Sequence, residues 1–420
     1  MPVAGTLSRG CVLFVLSACA GETGGVTERA TAVVRDSAGV RIVENRAVDD
    51  AAPLLRLTAE PLVQIGSVEG APEYQLYRVM AVARLSDGSI AVANMGSHEV
   101  RFYNAAGRHL HSAGGEGSGP GEFRAISYMR TLAGDTLLVF DFGNRRLSLL
   151  APDGTHVRDY APRLPAGQSL QRVMAALPDS TLLTLGTAAP PSRSADLGRD
   201  SVPFLILESS GVAHDTRVYP ASDRRIRVNE SGGRVTSIQV APVPFSRAVH
   251  TAAAGDAFYI GADETFEIHR YGAGGALTTI IRRTDVLPQP VTDDLLARHI
   301  DRELAQNRQA PGGPPGAGAD PQVLRQRLLT APRIAALPSY DALAAAADGS
   351  FWVRHYVPPG DTAEVTRWSV FDSDGRMTGT LEAPAGFQPM YIDATAVVGV
   401  ARDDLDVEYV RVYGIEPVAA

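Results

Sequence analysis

The segment Leu85-Ser-Asp-Gly-Ser-Ile-Ala-Val-Ala-Asn94 couples a tight Asp-Gly turn to a short strand of alternating side chains. It recurs. Copies start at Leu132 (LAGDTLLVFD), Leu177 (LPDSTLLTLG), Ala253 (AAGDAFYIGA) and Ala346 (AADGSFWVRH), with a fainter one at Ile392 (IDATAVVGVA). Most are followed by a second strand and turn, such as Val100-RFYNAAG-Arg108, Leu147-SLLAPDG-Thr155 and Thr366-RWSVFDSDG-Arg376. The starts at 85, 132 and 177 are 47 and 45 residues apart, and those at 346 and 392 are 46 apart. A unit of about 45 residues with four short strands is the period of a β-propeller blade.

Two intervals are longer: 76 residues from 177 to 253 and 93 from 253 to 346. The first holds extra chain around 188–202 and 221–245. In the second, residues 290–338 read as helical and Pro-rich rather than as another blade. Thr292–Arg308 has acids in its first turn and apolar Leu295, Leu296, Ile300 and Leu304, and Asp320-Pro321 caps a second helix through Leu329. Pro311–Ala319 between them is a flexible linker. The expected fold is therefore all-β: a six-bladed β-propeller of four-stranded antiparallel blades spanning 40–417, with a helical insertion between blades 4 and 5. Such a ring must hide its seam, because open strand edges invite aggregation. Val40–Asn45 and Pro61–Gly66 are early strands without a repeat of their own. One of them is expected to pair with the last hairpin, Val398–Ile415.

Composition agrees. The 420 residues are 45% hydrophobic and 20% charged, with 41 Gly and 28 Pro, which suits many short strands and turns. The net charge is −8, and all 39 basic residues are Arg. An acidic balance argues against a nucleic-acid partner.

The N-terminus reads as an export signal over residues 1–18. Arg9 precedes the apolar stretch Cys11–Leu16, and Leu16-Ser17-Ala18-Cys19 follows. That stretch is far short of the roughly 20 residues of a membrane helix. The ending resembles the bacterial lipobox, which implies Cys19 as the lipidated first residue of the mature chain. Residues 19–39 then form a lipid-anchored flexible tether. Localisation follows: exported and lipid-anchored in the bacterial cell envelope, at an outer membrane facing periplasm or surface. Loss of Cys11 and lipidation of Cys19 leave no disulfide, so stability must come from packing.

The stretch Val82–Phe123, ending in Gly114-GEGSGPGE-Phe123, resembles an NHL repeat. The arrangement over 40–415 is similar to bacterial secreted six-bladed β-propeller lipoproteins whose roles are mostly unassigned. The resemblance implies the fold and gives little function.

Candidate chemistry is sparse. The Gly-rich run 114–121 lacks the Lys of a P-loop, and reads as a tight inter-blade connection. His109 and His111 alternate on a strand with no third ligand near them. His355 reads as a sheet histidine, and Ser118 lacks a nucleophile elbow. Glu69, Asn94, Asp141 and Asn144 are conceivable ligands of a channel cation of the gluconolactonase or regucalcin type. Asp403-Asp404-Leu405-Asp406 reads as an acidic turn. No catalytic, cofactor or metal residue is assigned, and no cofactor is required; a divalent cation in the channel is the one option. The expected function is a monomeric binding or scaffold module for a protein, peptide or glycan, attached to the membrane by its lipid. The alternative is a metal-dependent hydrolase or lyase of the gluconolactonase or NHL-lyase type.

Overall fold

The computed structural model describes residues 30–47, 55–187, 199–208, 212–231, 234–309, 320–359, 363–403 and 405–418. Cys19, the export signal, the first part of the tether and the Pro/Gly-rich linker lie outside these residues.

Sequential antiparallel meanders dominate: sheet I (79–114), sheet II (126–160), sheet III (172–220), sheet IV (249–283) and sheet V (340–384), each four-stranded, and sheet VI (388–417), a meander of three. The first strand of each sheet contacts the first strand of the next, and that of sheet VI returns to sheet I. This all-β arrangement is consistent with a β-propeller.

Why these segments form strands is visible in sheet I. In Ile90–Asn94, Ala91 and Ala93 face sheet II, where they join Ile126, Met129, Leu137 and Val139. Ile90 and Val92 face sheet VI, joining Val398, Val400, Val410 and Val412. Both faces are buried, so the second strand of a sheet reads as an almost unbroken apolar run. Small residues on one face and branched ones on the other let neighbouring sheets sit as wedges. A comparable apolar cluster fills every other junction between consecutive sheets. Between sheets IV and V, Phe351 and Phe371 stack with centroids 4.9 Å apart, and Tyr259 lies 4.4 Å from Phe351. Each fully buried side chain of this size is worth about 1.5–3 kcal/mol. Gly375 marks how closely these sheets approach. It has φ +80°, and a Cβ there would sit 2.6 Å from Ile281.

The two early strands have different fates. Val63–Ile65 pairs antiparallel with Glu408–Pro417 and supplies the missing fourth strand of sheet VI. The closing partner of the last hairpin is thus the segment within 61–66. Val40–Ala47 instead adds in parallel to the outer strand of sheet IV, with Arg41 opposite Thr279 and Asn45 opposite Arg283. The fully buried Asn45 then ties sheet IV to sheet V: its Nδ2 donates to Gly375 O at 2.9 Å and its Oδ1 accepts from Met377 N at 2.8 Å. Ala30–Ser37, within the segment read as a tether, is a strand paired antiparallel with Val40–Ala47. The Ala38-Gly39 turn, with both residues at positive φ, makes that hairpin possible. Flexibility through residue 39 was the wrong expectation, because this backbone finds a complete ladder partner.

Two segments leave the meander pattern. Residues 224–242 form a separate two-stranded hairpin between sheets III and IV. Helices α1 (Asp293–Gln309) and α2 (Pro321–Leu329) lie between sheets IV and V in the chain. Asp320 caps α2, its Oδ1 accepting from Gln322 N at 2.7 Å. Leu296, Ile300 and Leu304 of α1 pack with Val243, Phe245, Ile334 and Leu337, so α1 rests on the chain that leaves the hairpin. No helix among the described residues is long and apolar enough to cross a membrane.

Candidate binding face

The first strands all start at one end of the ring, and the turns joining second to third strands lie at the same end. Four arginines stand at these starts. Arg78 is one residue ahead of Val79–Arg84, Arg124 two ahead of Ile126–Thr131, Arg172 opens Arg172–Ala176, and Arg247 is two ahead of Val249–Ala254. Arg78, Arg124 and Arg172 are exposed. None of the three has a carboxylate within ion-pair distance among the described residues. The large apolar side chains Tyr77 (68% exposed) and Phe142 (46%) and the exposed Arg145 belong to the same end.

Buried polar side chains hold this arc. Asn94 closes the second strand of sheet I; its Oδ1 accepts from Tyr77 N at 2.8 Å, and its Nδ2 donates to Ser97 Oγ at 2.8 Å. Asp141 closes the second strand of sheet II and is fully buried. Its Oδ2 accepts from Arg124 N at 3.0 Å and from Asn144 Nδ2 at 2.6 Å. Its Oδ1 accepts from Ala125 N at 2.9 Å, Gly143 N at 3.0 Å and Asn144 N at 3.2 Å. One carboxylate thus fixes both the turn that presents Phe142 and the strand start that presents Arg124. Of the conceivable cation ligands, Asn94 and Asp141 spend their side-chain oxygens on the chain itself, and Asn144 donates its Nδ2 to Asp141 and to Gly117 O. Glu69 is exposed on the connection ahead of sheet I. Among the described residues no three His, Cys, Asp or Glu side chains gather closely enough to hold a metal ion.

Sheet IV is arranged differently at the same end. Asp263 accepts from Ala248 N at 2.9 Å, as Asp141 accepts from Ala125 N, and His250 Nε2 lies 3.2 Å from it. Here Arg247 is engaged. Its Nη2 and Nε donate to the two oxygens of Asp223 at 2.8 and 2.9 Å, and its Nη1 donates to Glu264 at 2.6 Å. Arg199 reaches the other Glu264 oxygen at 2.7 Å. Burial opposes ionisation of Asp223, yet the hydrogen bonds and charge of Arg247 hold its carboxyl below the usual range. On α1, His299 packs 5.4 Å from Phe245, and burial lowers its pKa, which favours a neutral ring.

The interior is bridged as well. Arg130, on the first strand of sheet II, donates to Ala253 O of sheet IV at 3.0 Å, reaching past sheet III.

The remaining sequence candidates are structural. His111 stacks on Phe102 with centroids 4.6 Å apart, and His109 Nε2 lies 3.1 Å from Ser112 Oγ. His355 Nε2 lies 2.9 Å from Ser369 Oγ. In the Gly-rich run, Gly115 N donates to His98 O, Gly117 N to Phe123 O and Gly119 N to Glu122. Arg146 braces the Ser118 and Gly119 carbonyls, so this is a self-bonded connection rather than an anion cradle. Asp403 caps its own turn through Leu405 N and Val407 N; Asp404 lies outside the described residues.

The arc itself went unnoticed in the sequence, although a signal exists. Arg-Val-Met occurs at 78–80 and again at 172–174, and Arg-Ala followed by a β-branched residue occurs at 124–126 and 247–249.

No family model matches the chain, and no curated protein matches it. Among solved structures it is similar to a member of the DUF4221 family from Bacteroides vulgatus, at 11% identity and TM-score 0.50 over 87% of this chain and 99% of that one. It is also similar to a Bacteroides fragilis protein classed as exported (12%, 0.46, 90% and 100%) and to regucalcin from Agrobacterium tumefaciens (11%, 0.38, 87% and 97%). At these identities the likeness concerns the fold alone.

Proposed function

We propose that this chain is a six-bladed β-propeller of the NHL-repeat-like kind, with its helical insertion between the fourth and fifth blades, and that it serves as a binding module. It is exported and held in the cell envelope by a lipid on Cys19. Its partner is a protein, peptide or glycan that carries anionic groups. The observation that supports this is the open arc: Arg78, Arg124 and Arg172 stand exposed with no carboxylate partner among the described residues, on a protein of net charge −8. Most other described arginines already have acidic partners. Unpaired guanidinium groups beside Tyr77 and Phe142 suit an interface, where Arg and aromatic residues supply much of the affinity.

The test is capture of partners from the native envelope with full-length protein and with a R78E/R124E/R172E variant. The expected result is a partner retained by the parent and lost by the variant, with retention weakening as salt rises. Equal capture by both would overturn the reading. Metal analysis of the same preparation sharpens it. A stoichiometric divalent cation would move the protein to the hydrolase or lyase class.

A further inference from the structure

The six first strands contact one another in a closed cycle, so those of their side chains that are not packed between sheets face the centre of the ring. On five of the six, the pairing with the second strand skips one residue near the strand's start: Met80, Ser127, Met174, Asp341 and Met390. Sheet IV pairs without a shift. Bulges of this kind re-aim a side chain at the rim of a closed sheet. Burial agrees. Met80 is 37% exposed between buried Val79 and Ala81, and Met174 is half-buried between buried Val173 and Ala175. Met390 is half-buried and rests on the apolar cluster between sheets VI and I. Three thioethers thus stand around the mouth of the ring, at the arginine end.

Sequence links the thioethers to the arginines. Arg78-Val79-Met80 and Arg172-Val173-Met174 each place an exposed guanidinium two residues ahead of an accessible thioether, about 7 Å along the strand. Arg124 stands three residues ahead of Ser127. The carboxylate among the skipped residues is already engaged, since Asp341 accepts from Arg354 Nε and Val357 N. Further in, charged groups close the centre. Arg84 Nη1 donates to Asp393 Oδ2 at 2.7 Å, and Arg130 crosses from sheet II to Ala253 O. The charges of Asp393, Arg84, Asp135 and Arg130 all act on Tyr391. Arg84 lies four residues beyond Met80 and Arg130 three beyond Ser127, so the mouth ends about 10–13 Å in.

We infer, building on the binding role proposed above, that the arginine arc and the thioether mouth are one site, and that it takes a peptide segment in which an aromatic side chain lies next to acidic ones. The ring enters among Met80, Met174 and Met390, whose flexible, polarisable sulfurs suit aromatic edges. The acids stay outside, on Arg78, Arg124 and Arg172. A step of two residues between guanidinium and thioether matches the reach between neighbouring side chains of an extended peptide. Tyr77 and Phe142, exposed at the same end, add apolar contact area. A glycan fits less well, because thioethers are weak acceptors and leave sugar hydroxyls without the partners they lose in water. A shallow mouth with a charged floor leaves no apolar depth for a long acyl chain.

Ligand-detected NMR on the full-length protein would use the end-capped peptide Gly-Asp-Phe-Glu-Gly, with Gly-Asp-Ala-Glu-Gly, Gly-Asn-Phe-Gln-Gly and laurate as controls. The expected result is binding of the first peptide, weakened tenfold or more when its ring or its acids are removed and in the M80Q/M174Q/M390Q protein. The M80L/M174L/M390L protein, still apolar at all three positions, should bind within threefold of the parent. No binding of the first peptide, equal binding of either peptide control, tighter binding of laurate, or equal behaviour of the Gln and Leu variants would overturn the inference. Capture of the envelope partner separates this inference from the reading beneath it. Capture lost with R78E/R124E/R172E but kept with M80Q/M174Q/M390Q would sink the peptide site and leave the binding role standing. Capture that survives both variants would sink the binding role itself.

Discussion

Arg124 and Arg247 occupy the same kind of turn in two sheets of one ring, and only Arg247 is engaged. Phe123-Arg-Ala-Ile126 and Ser246-Arg-Ala-Val249 each present a backbone N–H to a buried aspartate at the end of a second strand. The local frame is shared. What differs is the acids nearby, one beside an insertion and one in the sheet's own turn. Asp223 precedes the 224–242 hairpin, and Glu264 follows the second strand of sheet IV; together they neutralise Arg247. Among the described residues no acid pairs with Arg78, Arg124 or Arg172. The lesson is that a repeat fixes where a side chain stands, while insertions and the residues of neighbouring turns decide whether its charge remains available.

The strongest way to break this comparison is Arg247→Ala. It strands Asp223, which is 1% exposed, without its bidentate partner. Removing one member of a buried pair costs about 3 kcal/mol. Urea denaturation at pH 7 reads this directly. A loss under 1 kcal/mol would mean that the pair is ornamental and that the two arcs differ less than their contacts imply.

Asp141→Ala tests the frame common to both arcs. It leaves the N–H groups of Arg124 and Ala125 without their acceptor at a buried site, at a cost of about 2 kcal/mol. The same variant should weaken capture of the envelope partner, because the strand start that carries Arg124 loses its hold. Stability lost with partner capture unchanged would separate the frame from the function.

A third test uses acid. The hydrogen bond from His269 Nε2 and the charge of Arg282 hold the Glu267 carboxyl at about 2, against its ordinary 4.5. A depressed carboxyl contributes stability that is present above about pH 4.5 and fades as the pH falls toward 2. Glu267 is partly exposed, so solvent screening reduces the contribution to about 1 kcal/mol. Glu267→Gln should therefore melt earlier at pH 7 and match the parent near pH 2. Equal destabilisation at both values would point to lost packing rather than charge.

Much of the ring was legible because propeller geometry is local. A turn such as Asp87-Gly88 needs a positive φ, and the following strand needs apolar side chains on both faces; both leave marks within ten residues of each other. Helices α1 and α2 were readable for the same reason, through the Asp320-Pro321 cap and the apolar spacing at Leu296, Ile300 and Leu304. The parallel addition of Val40–Ala47 was not. Its backbone ladder is formed with residues 279–283, and nothing in VRIVENRA distinguishes that partner from the final hairpin. The arginine arc was hidden differently. Its repeated Arg-Val-Met and Arg-Ala signals are short, and their meaning depends on Asp223, Glu264 and the hairpin, which stand elsewhere in the chain. Asn94 and Asp141 look like ligands in sequence because their donors are backbone N–H groups, which leave no trace in residue type.

The smallest expected effect completes the contrast. Arg78→Gln, Arg124→Gln and Arg172→Gln each remove an exposed cation that holds no ion pair among the described residues, so each should shift stability by no more than about 0.5 kcal/mol. The side chains are free to move in water, and their loss leaves no buried group uncompensated. If the open arc exists for a partner, these same substitutions should nevertheless lower its capture, most steeply at low salt where charge attraction is least screened. A stability loss comparable to that of Arg247→Ala would show that the exposed arginines also carry the fold. The distinction between an engaged arc and an available one would then collapse.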